Sequence, residues 1–234
     1  MSRPLQRMFT EVPPHYDLIN SVITWGLDRR WRKKAAAKCL KNNPKRVLDL
    51  CCGTGDLAAT LCRLGGSGVS VLGIDYSPPM LVLARQKALS LAASSCVSFI
   101  HGDAASLPFP DAFFESVGIS FAFRNMTYKN PLAAKHLSEV RRVLTVGGRY
   151  VIVETSQPEP WFIRGIFHRY LRWFVRHAGF WLSGNKGAYN YLAESAANFY
   201  DAEEIKDMLL KAGFREVTYR PLLFGAAGIH IAVK

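Results

Sequence analysis

Three short acidic signals recur along the chain at intervals that suit a bound nucleoside: Val47-Leu-Asp-Leu-Cys-Cys-Gly-Thr-Gly-Asp56, Gly73-Ile-Asp-Tyr76 and Gly102-Asp-Ala-Ala-Ser-Leu-Pro-Phe109. Asp49 closes an apolar run that passes into Gly53-Thr54-Gly55, where the missing Cβ atoms let backbone approach a ligand. Asp75, followed by Tyr76, closes a second run from Val69. One carboxylate there can accept hydrogen bonds from both hydroxyls of a ribose. Asp103 and Ala104 follow a third run, Val97 to Ile100, where a short acidic loop can cover a purine and meet its exocyclic amine.

The elements that must hold these loops follow from the apolar periodicity. Helix signals fall at Tyr16 to Ile23 and Asp28 to Leu40, after a break at Pro13-Pro14. Alternation then begins: strand Arg46 to Leu50, helix Asp56 to Leu64, strand Val69 to Ile74, helix Pro78 to Ser90, strand Val97 to Ile100, strand Phe114 to Ser120, helix Pro131 to Leu144 and strand Arg149 to Glu154. A helix Asp201 to Ala212 and strands Phe214 to Arg220 and Ala226 to Val233 end the chain. Such alternation predicts an α/β, doubly wound, mostly parallel seven-stranded sheet with an antiparallel edge hairpin. Residues 1–45 are expected to form an N-terminal helical lid, residues 46–234 the main domain, and residues 156–200 a helical insertion carrying substrate specificity.

At 234 residues the chain has room for one such domain with embellishments. No apolar stretch reaches the roughly 20 residues needed to cross a bilayer, and the first ten residues lack the apolar core of a secretory signal, so a cytoplasmic protein is expected. The five cysteines, Cys39, Cys51, Cys52, Cys62 and Cys96, form no Cys-x-x-Cys pair or zinc spacing. Reduced thiols used as small apolar side chains are expected, and no metal. The net charge of +12 favours nucleic acid or an anionic membrane surface. Within Trp161 to Leu182, Arg164, His168, Arg169, Arg172 and Arg176 fall in an arc of roughly 140° on a helical projection, opposite Phe162, Ile166, Phe167 and Trp173. A basic amphipathic helix lying at an anionic membrane is one reading; a helix packed on the core with a solvated basic face is the other.

The string Gly53-Thr-Gly-Asp-Leu-Ala58 fits the dinucleotide pattern G-x-G-x-x-A and does not by itself separate an NAD enzyme from an S-adenosylmethionine enzyme. With Asp49, Asp103 and the segment Arg141-Arg-Val-Leu-Thr-Val-Gly-Gly148, the chain resembles class I S-adenosylmethionine-dependent methyltransferases. Tyr16-Asp-Leu-Ile-Asn20, Ser120-Phe-Ala-Phe-Arg-Asn125, the run from Arg142 to Ser156 and Tyr189-Asn-Tyr-Leu-Ala-Glu-Ser195 narrow this. They are similar to the menaquinone and ubiquinone C-methyltransferase family. Thr24 and Asp28 stand where that family carries Ser and His, and Thr145 where it carries Lys.

The resemblance implies S-adenosyl-L-methionine as cofactor, touched by Thr54, Asp75, Asp103, Ala104 and Ser120, with Asp49 and the Gly53–Gly55 backbone near its methionine portion. It implies a prenylated hydroquinone as substrate, methylated on carbon. An aromatic carbon attacks a sulfonium once the neighbouring phenol loses its proton, so the site needs a base or a cation that stabilises phenolate. Arg124 and Asn125, after the fourth strand, are candidates for phenolate stabilisation and for a hydrogen bond to a ring oxygen; a turn cap is the alternative. Tyr16, Asp17 and Asn20 share one side of a short helix and can close over the ring, with Asp17 or His15 as base; a capping or lid-packing role is the alternative. Tyr189 and Tyr191 are placed at the quinone pocket or as packing for the insertion.

Demethylmenaquinol is the expected substrate, with a benzoquinol, a nucleic acid base or a noncatalytic S-adenosylmethionine-binding scaffold as alternatives. Nucleic acid is disfavoured because Ser120-Phe-Ala-Phe stands where a base methylating enzyme carries Asn/Asp-Pro-Pro-aromatic. A peripheral membrane position follows from a polyprenyl substrate, and a homodimer stays open.

Overall fold

The computed structural model describes residues 16–91, 95–175, 177 and 186–234. Seven strands form one sheet: β1 (Arg46–Leu50), β2 (Ser70–Asp75), β3 (Val97–His101), β4 (Phe114–Ser120), β5 (Leu144–Thr155), β6 (Glu216–Leu222) and β7 (Ala227–Val233). Their order is β3-β2-β1-β4-β5-β7-β6. β1 to β5 run parallel, and β7 lies antiparallel between β5 and β6. The order reverses at β1, so the crevice beyond β1 and β4 is a switch point of the kind where open α/β sheets hold ligands.

The helices are α1 (Tyr16–Ile23), α2 (Leu27–Cys39), α3 (Asp56–Gly65), α4 (Pro78–Ser90), α5 (Phe123–Thr127), α6 (Ala133–Val143), α7 (Trp161–Tyr170), α8 (Lys186–Ala197) and α9 (Ala202–Lys211). β1 is buried at four of its five positions, as expected of a strand covered on both faces. Asp49 is the polar exception, 1% exposed. α9 starts on a capping box, Asp201 Oδ1 accepting from Glu204 N and Glu204 Oε2 from Asp201 N, each at 2.9 Å.

One face of the sheet packs Leu48, Ile119, Tyr150 and Ile152 under the helices that supply Leu137, Val140 and Leu209. The other packs Val47, Val71 and Val151 against Leu57, Leu61, Trp31, Ala35 and Ala36. α2 is therefore built into the core, and of the expected N-terminal lid only α1 is left to cover the sheet. A third cluster joins Leu171, Val175, Ala193 and Ala196 to Ile23. The Tyr170 hydroxyl donates to the Ile23 carbonyl, and Trp25 stacks on Phe174 at 6.1 Å. The end of α1 thus packs on the described part of the insertion.

Two local expectations are corrected. Cys62 and Cys96 are joined by a disulfide between α3 and the lead into β3, so only Cys39, Cys51 and Cys52 are free. The residues after β4 form the short helix α5. The helix from Trp161 does not run on unbroken: α7 ends at Tyr170 and passes into a π-helical turn, Leu171–Val175. Arg176, Leu182 and His15 lie outside the described residues.

Candidate functional site

The loops leaving β1, β2, β3 and β4 line a single cavity. Gly53 takes φ 53° and Gly55 φ 79°, a left-handed region cheap only for glycine. A Cβ at Gly55 would meet Phe99 Cζ at 3.0 Å, while one at Gly53 meets nothing within 4 Å. Gly55 is thus demanded by packing against β3, and Gly53 by its turn, which leaves room on the cavity side.

Asp75 ties this turn to the loop that leaves β2. Its Oδ2 accepts from Gly53 N and its Oδ1 from Ser77 N, each at 2.8 Å. Each carboxylate oxygen has a second lone pair, so Asp75 keeps the capacity to accept from a ribose. Burial pushes its carboxyl up from the usual range, and the two amide donors oppose that shift. Asp49 accepts from Ala58 N at 2.8 Å, and burial drives it up to about 8. Asp103 uses Oδ1 to accept from Ala105 N at 2.9 Å.

Other expected residues reach the same cavity. Thr54, Tyr76, Ala104, Ser120 and Asn125 line it, as do Asp17 and Asn20 from α1. Ser120 Oγ and Asn125 Oδ1 are buried with no hydrogen-bond partner among the described residues. Such orphaned atoms carry a desolvation cost that a polar ligand relieves. An amphipathic nucleoside with a charged tail fits this donor set: an acid at each of three loops, an open glycine turn and unsatisfied polar atoms on the β4 side.

Asp17 is already engaged. Its Oδ1 accepts from Thr54 Oγ1 at 2.7 Å and its Oδ2 from Lys87 Nζ at 2.6 Å. Lys87 also reaches Asp56 at 2.5 Å, and Asp56 holds Arg32 at 2.8 Å. Arg32 in turn pairs with Asp28 at 2.7 Å, and Asp28 accepts from Thr24 Oγ1 at 2.9 Å. The chain of charges runs from the lid through the glycine loop to α2. Arg32 and Lys87 carried no motif, although the i,i+4 spacing of Asp28 and Arg32 was a readable signal.

Arg124 departs from its expected place facing the ring. It is 3% exposed, does not line the cavity, and its Nη1 sits 3.3 Å from Glu154 Oε1 and 2.8 Å from Thr155 Oγ1. Its backbone N–H also donates to Glu154 at 3.1 Å. Glu154 clamps both ends of this residue and fixes the start of α5, which leaves Asn125 toward the cavity. Tyr191 does not line the cavity either; its hydroxyl is raised chiefly by burial and feels Arg124 and Glu154. Tyr16 and Tyr189 lie on α1 and α8, with their side chains outside the described residues. His136, Asn130 and Met126 line the cavity without any sequence signal that singled them out.

A parallel sheet with this switch point, an antiparallel β7 and an acid at each of three strand ends defines an S-adenosylmethionine-dependent methyltransferase. The family model of the ubiE/COQ5 methyltransferase family matches residues 2–234, and the chain belongs to that family. It is 42% identical to a demethylmenaquinone methyltransferase of Thermus thermophilus, covering 96% of this chain and 98% of that one. A relative from Geobacter sulfurreducens, described as a ubiquinone/menaquinone biosynthesis C-methyltransferase, is 35% identical over 98% of this chain and 88% of its own. An S-adenosylmethionine-dependent methyltransferase of Aquifex aeolicus has the same fold, with a TM-score of 0.60 at 20% identity, covering 85% of this chain and 89% of that chain. The cofactor is S-adenosyl-L-methionine.

Proposed function

We propose that the protein transfers a methyl group from S-adenosylmethionine to a ring carbon of demethylmenaquinol, working at an anionic membrane surface. The observation that carries the substrate is the near full-length similarity to demethylmenaquinone methyltransferases at 42% identity, together with a cavity whose lid and β4 side offer polar groups for a ring. Bound, the cofactor supplies an electrophilic methyl on sulfur. The chain's own residues hold and deprotonate the acceptor: Asn125 and Ser120 accept from or orient a ring hydroxyl, and Arg124 acts behind them by fixing the α5 turn through Glu154. Asp17 serves as proton acceptor once its bonds to Thr54 and Lys87 loosen, with Asn20 beside it on the cavity side of α1.

α7 supports the membrane reading. Trp161 is 83%, Phe162 54%, Ile166 68% and Trp173 67% exposed, while Phe167 and Tyr170 pack on the cluster of Leu171 and Val175, so one face of this segment is held and the other is open. Arg169 and Arg172 are exposed beside them, whereas Arg164 Nε donates to the Pro158 carbonyl at 2.8 Å and His168 is bound to Gln157 Oε1 at 2.8 Å. Aromatics and arginines on one exposed face suit the headgroup layer of an anionic bilayer. Among the described residues no helix is long and apolar enough to cross a membrane.

Lipid quinone profiling by mass spectrometry after loss of the gene tests the substrate. Accumulation of demethylmenaquinone is expected. A demethylated benzoquinone in its place would select the ubiquinone branch, and an unchanged quinone pool would contradict the reading.

A further inference from the structure

His136 is a histidine that no part of the function just described uses, yet it forms part of the cavity wall. It sits on α6, is 4% exposed and lines the cavity together with Asp103 and Ala104. Its Nδ1 lies 2.9 Å from the Met126 carbonyl oxygen. A carbonyl only accepts, so Nδ1 must carry the proton of this bond, and in the neutral ring Nε2 is then a bare lone pair. Among the described residues the ring makes no other hydrogen bond. Burial lowers the ring's proton affinity, with Asp103 and the Met126 carbonyl opposing that shift.

A buried acceptor with a fixed tautomer needs a donor from whatever fills the cavity. The acidic loop beside it is in the same position: Asp103 spends Oδ1 on Ala105 N and keeps Oδ2. Two acceptors from two elements, a buried histidine and a half-buried carboxylate lining the same cavity, match a group with two N–H donors. The exocyclic amine of adenine is such a group, and the oxygen that replaces it in hypoxanthine is not.

We propose that His136 Nε2 is a specificity-determining acceptor for the adenine amine of the cofactor, acting beside Asp103. The proposal rests on the cofactor occupying this cavity, and it makes His136 a reader of the base and not a group in methyl transfer. Protonating the ring turns Nε2 from an acceptor into a donor, which opposes an amine and favours a carbonyl oxygen. Selectivity for adenine over hypoxanthine must therefore fall when His136 gains a proton. The charged groups around the ring are Asp103 on the β3–β4 loop, Asp49 and Asp75 across the cavity, and Lys135 and Glu139 on α6, the latter held by Arg142 at 2.9 Å. Asp49 and Asp75 sit at the loops assigned to the methionine and ribose portions, which the two ligands share, so their titration cancels in a ratio of affinities.

Calorimetric titration of the purified protein with S-adenosylhomocysteine and with S-inosylhomocysteine, from about pH 8 to about pH 5, reads that ratio directly. For the wild type the preference for the adenine ligand should fall by about tenfold or more toward acid, the equivalent of one good hydrogen bond lost and another gained. His136→Gln, which keeps an amide oxygen near the Nε2 position and does not titrate, should retain the preference at all pH values. A ratio that does not change with pH in the wild type would overturn the proposal, as would the same slope persisting in His136→Gln, because Asp103 alone would then account for it. Should the variant not fold, the ring-nitrogen NMR shifts of wild-type His136 decide. A shift of Nε2 on binding the adenine ligand, absent with the inosine ligand, supports the assignment, and equal spectra refute it. Failure of both ligands to bind would overturn the cofactor assignment itself, an outcome separate from binding without discrimination.

Discussion

The Thr54 hydroxyl donates to Asp17 Oδ1 at 2.7 Å, so the loop leaving β1 and the helix that covers it are joined by one hydrogen bond. Lys87 reinforces it from α4 through Asp17 Oδ2 at 2.6 Å. The Asp17 side chain is 42% exposed, so solvent screens the ion pair and its contribution is at most about 1 kcal/mol. Asp17→Ala should therefore weaken S-adenosylmethionine binding by no more than about fivefold while lowering turnover far more, because the lid and the proton acceptor are lost together. Titration calorimetry beside steady-state rates separates the two. Normal turnover with unchanged affinity would leave Asp17 as surface decoration.

Arg124 and Glu154 are 4% and 2% exposed at their side chains, and removing one partner strands a buried charge. Breaking such a pair costs about 3–5 kcal/mol, whereas replacing both partners by apolar residues is often neutral. Arg124→Met should lower the melting temperature by roughly 10 °C. Arg124→Met with Glu154→Leu should recover much of that loss without restoring activity, since the clamp on α5 stays broken. Recovery of activity along with stability would show that the pair has no part in positioning Asn125.

Asp49 makes stability depend on pH in an unusual direction for a carboxylate. Burial holds its folded value at about 8, against about 3.9 for a free aspartate. The unfolded chain releases the proton first, so the contribution that favours the fold is complete below about pH 4 and is lost as pH rises through about 8. Asp49→Asn retains an acceptor for Ala58 N–H and does not ionise. Without added cofactor, its melting temperature should exceed that of wild type by about 5 °C or more near pH 9, with the gap closing near pH 5. A constant gap at both pH values would contradict a raised Asp49.

Arg169 and Arg172 flank the exposed Trp173 and Ile166, and each arginine near an anionic surface is worth about 1 kcal/mol. Arg169→Gln with Arg172→Gln should lower vesicle binding by about tenfold or more, and added salt should do the same to wild type. Trp161→Ser with Trp173→Ser should weaken binding even at high salt. Cosedimentation with phosphatidylserine-containing vesicles is the measurement, and equal binding by all three proteins would remove α7 from the membrane account.

The strand ends were legible because Asp49, Asp75 and Asp103 each stand at or just past the carboxyl end of an apolar run. β1, β4 and α4 begin and end where the periodicity placed them. β5 begins earlier than its pattern implied, at Leu144, because Gly147 at φ 75° turns within it. Contacts across long separations left no local trace. Arg124 looked like a ligand-facing residue because its partner Glu154 lies 30 positions away on β5. The Cys62–Cys96 bridge spans 34 positions without a recognisable spacing. Trp161 to Leu182 showed its amphipathic arcs, but nothing in the pattern marked the π-helical turn Leu171–Val175 that breaks the helix. His136 had no motif; its meaning comes from the Met126 carbonyl that fixes its proton.

The central claim, methyl transfer to carbon of a quinol held at this site, is tested most directly by the chemistry of the product. Purified protein is incubated with S-adenosylmethionine carrying a labelled methyl and with reduced demethylmenaquinone in anionic vesicles, and the labelled lipid is then exposed to a mild oxidant. A ring-methylated quinol keeps both hydroxyls and oxidises to a labelled quinone, which is the predicted result. A labelled lipid that resists oxidation, as a methyl ether does, or no labelled lipid from protein that binds the cofactor, would contradict the account.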